Sequence, residues 1–191
     1  QALVKSFIFF ICVSFLITDV SSADSSIKKA ETSLYDTGNI YLLRHALAPG
    51  TGDPDNFDVD DCDTQRNLSE EGRGQAVRIG KTLRDNLKKI PHVFSSQWCR
   101  CKETARLLNL GAVTELPILN SFFENFHLKD NQTNQLKEWL SKHINKTPII
   151  LVTHQVNITA LTGVYPSSGE IVVIRMTNAG GVQVVGRISP D

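Results

Sequence analysis

Apolar residues fall along this chain in two ways, as short unbroken runs and as stripes at helical spacing. Asn39-Ile-Tyr-Leu-Leu43 and Pro148-Ile-Ile-Leu-Val-Thr153 are runs of strand formers without polar alternation, as expected of strands buried on both faces. His92-Val-Phe-Ser-Ser96 and Val113-Thr-Glu-Leu116 read as shorter strands. Between them lie three stripes. Ala76, Val77, Ile79, Leu83 and Leu87 predict a helix that opens at Ser69 as N-cap and ends before Pro91. A second helix is expected from Cys99 to Leu110, stopped by Gly111, and a third from Gln135 to Ile144 with Leu136, Trp139, Leu140 and Ile144 on one side. A short helix over Val156–Leu161 follows, and Glu170–Met176 and Gly181–Ile188 form the arms of a hairpin turning through Asn178-Ala-Gly-Gly. Strands separated by helices predict an α/β fold. It is a three-layer sandwich with a mostly parallel central sheet, flanking helices and a final antiparallel hairpin.

Two segments depart from these patterns. Residues 1–23 have Lys5, an apolar centre from Ser6 to Ile17 and small residues Ser21 and Ala23, which reads as a signal peptide cut near Ala23. The apolar centre of roughly twelve residues is short of the about twenty that a spanning helix needs. Membrane contact is therefore expected only through an uncleaved leader. Residues 24–38 read as an N-terminal arm and 39–191 as the functional domain. From Ala46 to Arg66 runs a long loop rich in aspartate. It lacks the central glycine and closing glutamate of an EF-hand loop and is expected to be a solvated acidic rim. Loops of this length inside a domain are usually functional.

Composition adds exclusions more than assignments. The 191 residues suit one domain, and a formal net charge of zero gives no basic surface for a nucleic-acid partner. Of the four cysteines Cys12 lies in the leader, which leaves Cys62 free to pair with Cys99 or Cys101 in an oxidising compartment, or all three as small buried hydrophobes. Asn67, Asn131, Asn145 and Asn157 open Asn-x-Ser/Thr triplets, and no glycan is expected at Asn67 or Asn157, which lie beside the proposed pocket.

The candidate chemistry sits where the runs stop. Arg44-His45 ends the first strand, His154 ends the strongest one, and Arg66 and Arg100 each immediately precede or open a helix. Guanidinium forks match phosphate oxygens two at a time, and a neutral imidazole beside them can attack phosphorus while the cations hold the developing charge. An arginine at the start of a helix is unfavourable unless an anion joins it. His92, His127 and His143 have no such neighbours in the sequence pattern and read as surface or satisfied histidines.

Leu43-Arg-His-Ala46, Ser95-Ser-Gln-Trp-Cys-Arg-Cys-Lys-Glu-Thr-Ala105 and Val152-Thr-His154 resemble the three signature segments of the histidine phosphatase (phosphoglycerate mutase-like) superfamily. The resemblance spans Asn39 to Met176, with alanine at position 46 where the wider family usually has glycine. It implies that His45 is the nucleophile that becomes phosphohistidine, that Arg44 and Arg100 clamp phosphate, and that His154 is the second histidine of the pocket. Arg66 resembles an additional phosphate arginine of small bacterial phosphohistidine phosphatases. Larger members protonate the leaving oxygen with a carboxylic acid from the stretch between the two histidines, for which Glu124 is the candidate. No cofactor and no metal are implied.

Other chemistries lack their residues. Cys101 and Cys99 stand at the wrong spacing from Arg106 for a cysteine phosphatase, and no nucleophile elbow, P-loop or zinc histidine pair is present. The expectation is a metal-independent phosphomonoester hydrolase, secreted or periplasmic, acting on a phosphorylated small molecule or glycan of the cell envelope. A protein phosphohistidine phosphatase and a non-catalytic phosphate-binding module are the alternatives.

Overall fold

The computed structural model describes residues 33–143 and 147–190. The expected leader, Cys12, most of the arm, Ile144 and Asn145 lie outside them. Six strands form one sheet: β1 (Ile40–Arg44), β2 (His92–Ser95), β3 (Val113–Glu115), β4 (Ile149–Thr153), β5 (Ile171–Met176) and β6 (Val182–Ile188). Their order across the sheet is β3-β2-β4-β1-β5-β6. The first four run parallel to one another, while β5 lies antiparallel to β1 and turns back into β6.

The unbroken apolar runs are explained by burial on two faces. Along β1, Tyr41 and Leu43 face one core and Ile40 and Leu42 the other, and β4 divides its residues in the same way. One face is covered by α1 (Glu70–Asn86) and α2 (Cys99–Leu107), which contribute Ile79, Leu83, Cys101 and Ala105. The opposite face is covered by α3 (Lys129–His143) and α4 (Gln155–Thr162), with Leu136, Leu140, Ile158 and Leu161. This is the expected three-layer α/β sandwich.

Local sequence accounts for most boundaries. Ser69 caps α1, its side chain accepting from the Gly72 amide at 3.0 Å. Within α1, Ala76, Ile79 and Leu83 are buried, but Val77 is 48 % exposed, because one residue past Ala76 the helix has turned about 100° from the core. The second helix ends at Leu107, before the predicted Leu110, where the chain reverses through Asn109 in the left-handed region. The third helix starts at Lys129, six residues before the predicted Gln135. Gly72 is required by close approach: a β-carbon there would sit 2.0 Å from the Leu47 carbonyl oxygen, so α1 can lie directly on the loop that leaves His45.

Candidate active site

Register brings the site together. Arg44 pairs with Thr153 across β1 and β4, and the His45 amide donates to the Thr153 carbonyl at 2.9 Å. His45 and His154 therefore leave adjacent strand ends side by side, with ring centroids 5.5 Å apart. On the other side of β4, the Ser96 amide donates to Val152 as β2 ends, and the chain turns into α2, whose second residue is Arg100. The carboxyl ends of parallel strands thus converge on one place, the usual location for a site in such a sheet. A cavity of about 250 Å³ opens there, lined by Arg44, His45, Arg66, Arg100, Glu124 and His154. All six residues expected from the sequence face one space.

His45 is 2 % exposed. Its Nδ1 lies 2.8 Å from the Ala46 carbonyl oxygen, which can only accept, so Nδ1 carries the hydrogen and Nε2 keeps a lone pair. Burial first, and then the Arg100, Arg66 and Arg44 charges, lower its pKa to about 3 against the weaker opposing effect of that hydrogen bond. The ring is neutral across the physiological range. His154 is held well below its ordinary pKa by burial and by Arg100 and His45. Its Nε2 lies 3.0 Å from the Ser96 hydroxyl and 3.5 Å from the Cys101 thiol. The Ser96 hydroxyl is also 3.1 Å from Asn120 Oδ1, so its single proton serves one acceptor at a time and sets which ring nitrogen of His154 is protonated. Thr104 holds the turn after the first histidine, accepting from the Ala46 amide at 3.0 Å while donating to the Arg100 carbonyl at 2.7 Å.

The arginines are anchored so that part of each remains unengaged. Arg44 donates through Nη1 to the Pro166 carbonyl at 2.9 Å, and its buried Nε has no partner. Arg66 donates through Nε to Gly52 at 2.8 Å and through Nη1 to the Ala48 carbonyl, both in its own loop. Arg100, 3 % exposed, is gripped end-on by Asp53, with Nη1 to Oδ1 at 2.6 Å and Nη2 to Oδ2 at 3.0 Å. Its Nε is also buried and unpartnered. Buried donors without partners are rare and costly, and the cavity that these three arginines line suits a tetrahedral anion.

Asp53 was not singled out by its sequence context. Besides Arg100 it accepts from the Arg66 amide at 3.0 Å and from the Trp98 indole at 3.1 Å. Desolvation pushes its pKa up, but those hydrogen bonds and the Arg100 charge outweigh it and hold the carboxyl below its ordinary value. Three guanidinium groups outnumber the buried Asp53 and the exposed Glu124 at the cavity edge, which leaves net positive charge for an anion. The acidic loop is thus an exposed rim with one buried carboxylate. It also contains a 3₁₀ turn, Cys62–Thr64.

The cysteine pairing left open by the sequence is Cys62–Cys99, with Cα atoms 5.7 Å apart. It ties the acidic loop to the first residue of α2, next to Arg100. Cys101 is free and buried, and burial raises its pKa to about 12. Glu124 is exposed at the cavity edge. His127 does not line the cavity, His92 is exposed, and His143 stacks on Trp139. Asn157 is 3 % exposed and bonded to the Asn120 carbonyl, which leaves no room for a glycan. Among the described residues no group of three His, Cys, Asp or Glu side chains is arranged to hold a metal ion.

The fold and cavity define an α/β protein with paired neutral histidines in an arginine-lined anion site. Residues 40–127 match the family described as "Histidine phosphatase superfamily (branch 1)". Over those residues the chain is similar to that superfamily, and its fold is that of phosphoglycerate mutase-like histidine phosphatases. The matched segment stops short of His154, whose place follows from the sheet. Solved structures with the same fold include the protein histidine phosphatase SixA complexed with tungstate, at 14 % identity and TM-score 0.59 over 80 % of this chain and 97 % of that one. A mycobacterial glucosyl-3-phosphoglycerate phosphatase with VO₃ follows at 16 % identity and TM-score 0.57, covering 76 % and 96 %. A phosphoserine phosphatase mutant from Entamoeba histolytica, in complex with phosphoserine, has 15 % identity and TM-score 0.57 over 80 % and 98 %. No curated protein matches the sequence.

Proposed function

We propose that this protein is a metal-independent phosphomonoester hydrolase working through phosphohistidine at His45. The observation that carries the reading is the tautomer. With Nδ1 tied to the Ala46 carbonyl, Nε2 is the free nucleophile, in a cavity shared with three arginines. Nε2 attacks phosphorus in line, the N–P bond forms as the P–O bond breaks, and Glu124 gives its proton to the leaving oxygen. Arg44, Arg66 and Arg100 carry the charge on the equatorial oxygens. With the Ser96 hydroxyl turned to Nε2, His154 offers Nδ1–H to the same oxygens. Water then attacks phosphohistidine, returning a proton to Glu124, and phosphate leaves. The tungstate and VO₃ complexes of similar structures support an oxyanion as the ligand. The leader-like residues 1–23 and the Cys62–Cys99 bridge support an exported protein acting on a cell-envelope substrate. The likeness to SixA favours a second reading, hydrolysis of protein phosphohistidine.

Hydrolysis of p-nitrophenyl phosphate by wild type and His45→Ala tests the mechanism, with an alkaline quench to trap phosphate on His45. Activity should fall by at least about a thousandfold in the variant. Retained activity would sink the mechanism, and loss of wild-type activity with a chelator would sink its metal-free part. Glu124→Gln should slow an alkyl phosphate by about a hundredfold or more, and p-nitrophenyl phosphate far less. Equal slowing of both would remove Glu124 as the acid. Insensitivity of every substrate would favour the phosphohistidine reading.

A further inference from the structure

The cations of the cavity answer to phosphate, but its aromatic residues do not. Phe57, Trp98, Phe123 and Tyr165 all line it. The first two satisfy each other, stacked with centroids 4.9 Å apart, and the Trp98 indole is bonded to Asp53. Phe123 and Tyr165 remain 50 % and 69 % exposed.

Single exposed apolar side chains are ordinary on a protein surface. These two differ because the backbone beneath each is fixed to the anion floor. Phe123 follows the buried Phe122 and Asn120, whose Oδ1 accepts from the Gln97 amide at 2.9 Å and lies 3.1 Å from the Ser96 hydroxyl, the group beside His154. The Asn120 carbonyl also accepts from Asn157 and Gln132, at 3.0 and 2.6 Å. Tyr165 precedes the buried Pro166, whose carbonyl takes the Arg44 guanidinium. Both rings are therefore carried on chain that is tied to the walls of the same cavity. Glu124, between Phe123 and Asn125, lies on the same rim.

Resting on the phosphatase reading above, we propose that Phe123 and Tyr165 form a leaving-group subsite for the flat apolar face of an uncharged ring. The substrate class is then the phosphomonoester of a ring alcohol, sugar or aryl, in preference to that of a short or anionic chain. Ring stacking adds to affinity without touching the phosphate.

Inhibition constants for non-hydrolysable phosphonates test this directly. Phenylphosphonate should inhibit wild type at least about tenfold more tightly than methylphosphonate, and Phe123→Ala and Tyr165→Ala should each cut that ratio roughly three- to tenfold. Methylphosphonate inhibition should stay unchanged in both variants. A glucosylmethyl phosphonate separates the two ring sources: if it outcompetes phenylphosphonate and is weakened by Asn125→Ala, the ring is a sugar; the reverse order identifies an aryl ring. Equal inhibition by all three phosphonates, or a ratio indifferent to both substitutions, would overturn the subsite alone. No inhibition by any of them would overturn the phosphate site and the subsite with it.

Discussion

Replacing Asp53 by Asn probes whether this loop carboxylate positions Arg100 or competes with phosphate for it. The side chain keeps its size, but one oxygen becomes an amide nitrogen. With the remaining oxygen toward Arg100 Nη1 and the Arg66 amide, the new –NH₂ faces Arg100 Nη2 and the Trp98 indole, donors against a donor. Arg100 and Asp53 side chains are 3 % and 9 % exposed, so solvent screens the loss little. Removing one partner of a buried pair costs about 3–5 kcal/mol. For a chain of this size that lowers Tm by roughly 6–20 °C, at about 2–4 °C per kcal/mol. If the carboxylate positions Arg100, so that Nε faces the anion, vanadate affinity and kcat/KM both fall by about tenfold or more at temperatures where the variant is folded. Calorimetry with a vanadate titration reads both effects. Tighter vanadate binding and faster turnover in Asp53→Asn would mean that the carboxylate occupies the phosphate seat, refuting the positioning role; an unchanged Tm would refute the pair's energetic weight.

Two further expectations concern pH and the disulfide. Because the His45 pKa is lowered to about 3, by burial first and then by Arg100, its imidazole stays neutral down to that region. Corrected for the substrate's own ionisation near pH 6, kcat/KM should show no acid limb between about pH 6.5 and 4.5, and a limb there assigned to His45 by its loss in a variant would contradict the burial argument. Below about pH 6.5 the unfolded chain binds a proton that native His45 refuses. Stability is therefore lost as pH falls from 6.5 towards 3, by about 1.4 kcal/mol per pH unit, and His45→Asn should show a shallower decline in urea titrations. Opening Cys62–Cys99, which closes a loop across a sequence separation of 37, should cost about 2–4 kcal/mol. Because the bridge also fixes the Asp53 loop beside Arg100, Cys62→Ser with Cys99→Ser should weaken vanadate binding as well; full affinity would show that Asp53 and Gln65, whose Oε1 accepts from the Cys99 amide at 2.9 Å, hold the loop without the bridge.

The parallel core was legible because both-face burial leaves unbroken apolar runs, and β1 and β4 carry them. What pattern could not supply was the start of α3. Between Lys129 and Gln135 only Thr133 turns to the core, so nothing apolar recurs at helical spacing there. The cations of the site were legible by residue type and position, since strand ends and a helix start are where an anion site would place them. The residues that orient them were not. Ser96 and Thr104 act through Asn120, His154 and Ala46, partners that only the fold brings near.

Asp53 marks the boundary between the two cases. Asp55, Asp58, Asp60, Asp61 and Asp63 in the same loop are exposed, and by residue type alone it is one of six. The difference lies in Gly50 and Gly52, both with positive φ, at 94° and 70°. Two left-handed steps reverse the chain just before Asp53 and deliver it beneath Arg66, whose Cδ would be 3.4 Å from a β-carbon at Gly50. A Gly-x-Gly followed at once by an acidic residue, inside an otherwise acidic loop, is therefore the local signal that one carboxylate turns inward. It needs a buried cation to meet, and Arg100, at a helix start where a lone cation is unfavourable, supplies it. The two residues account for each other: neither would be stable where it lies without the other. Asp53 takes both terminal nitrogens of Arg100 and leaves its Nε as the unpaired donor.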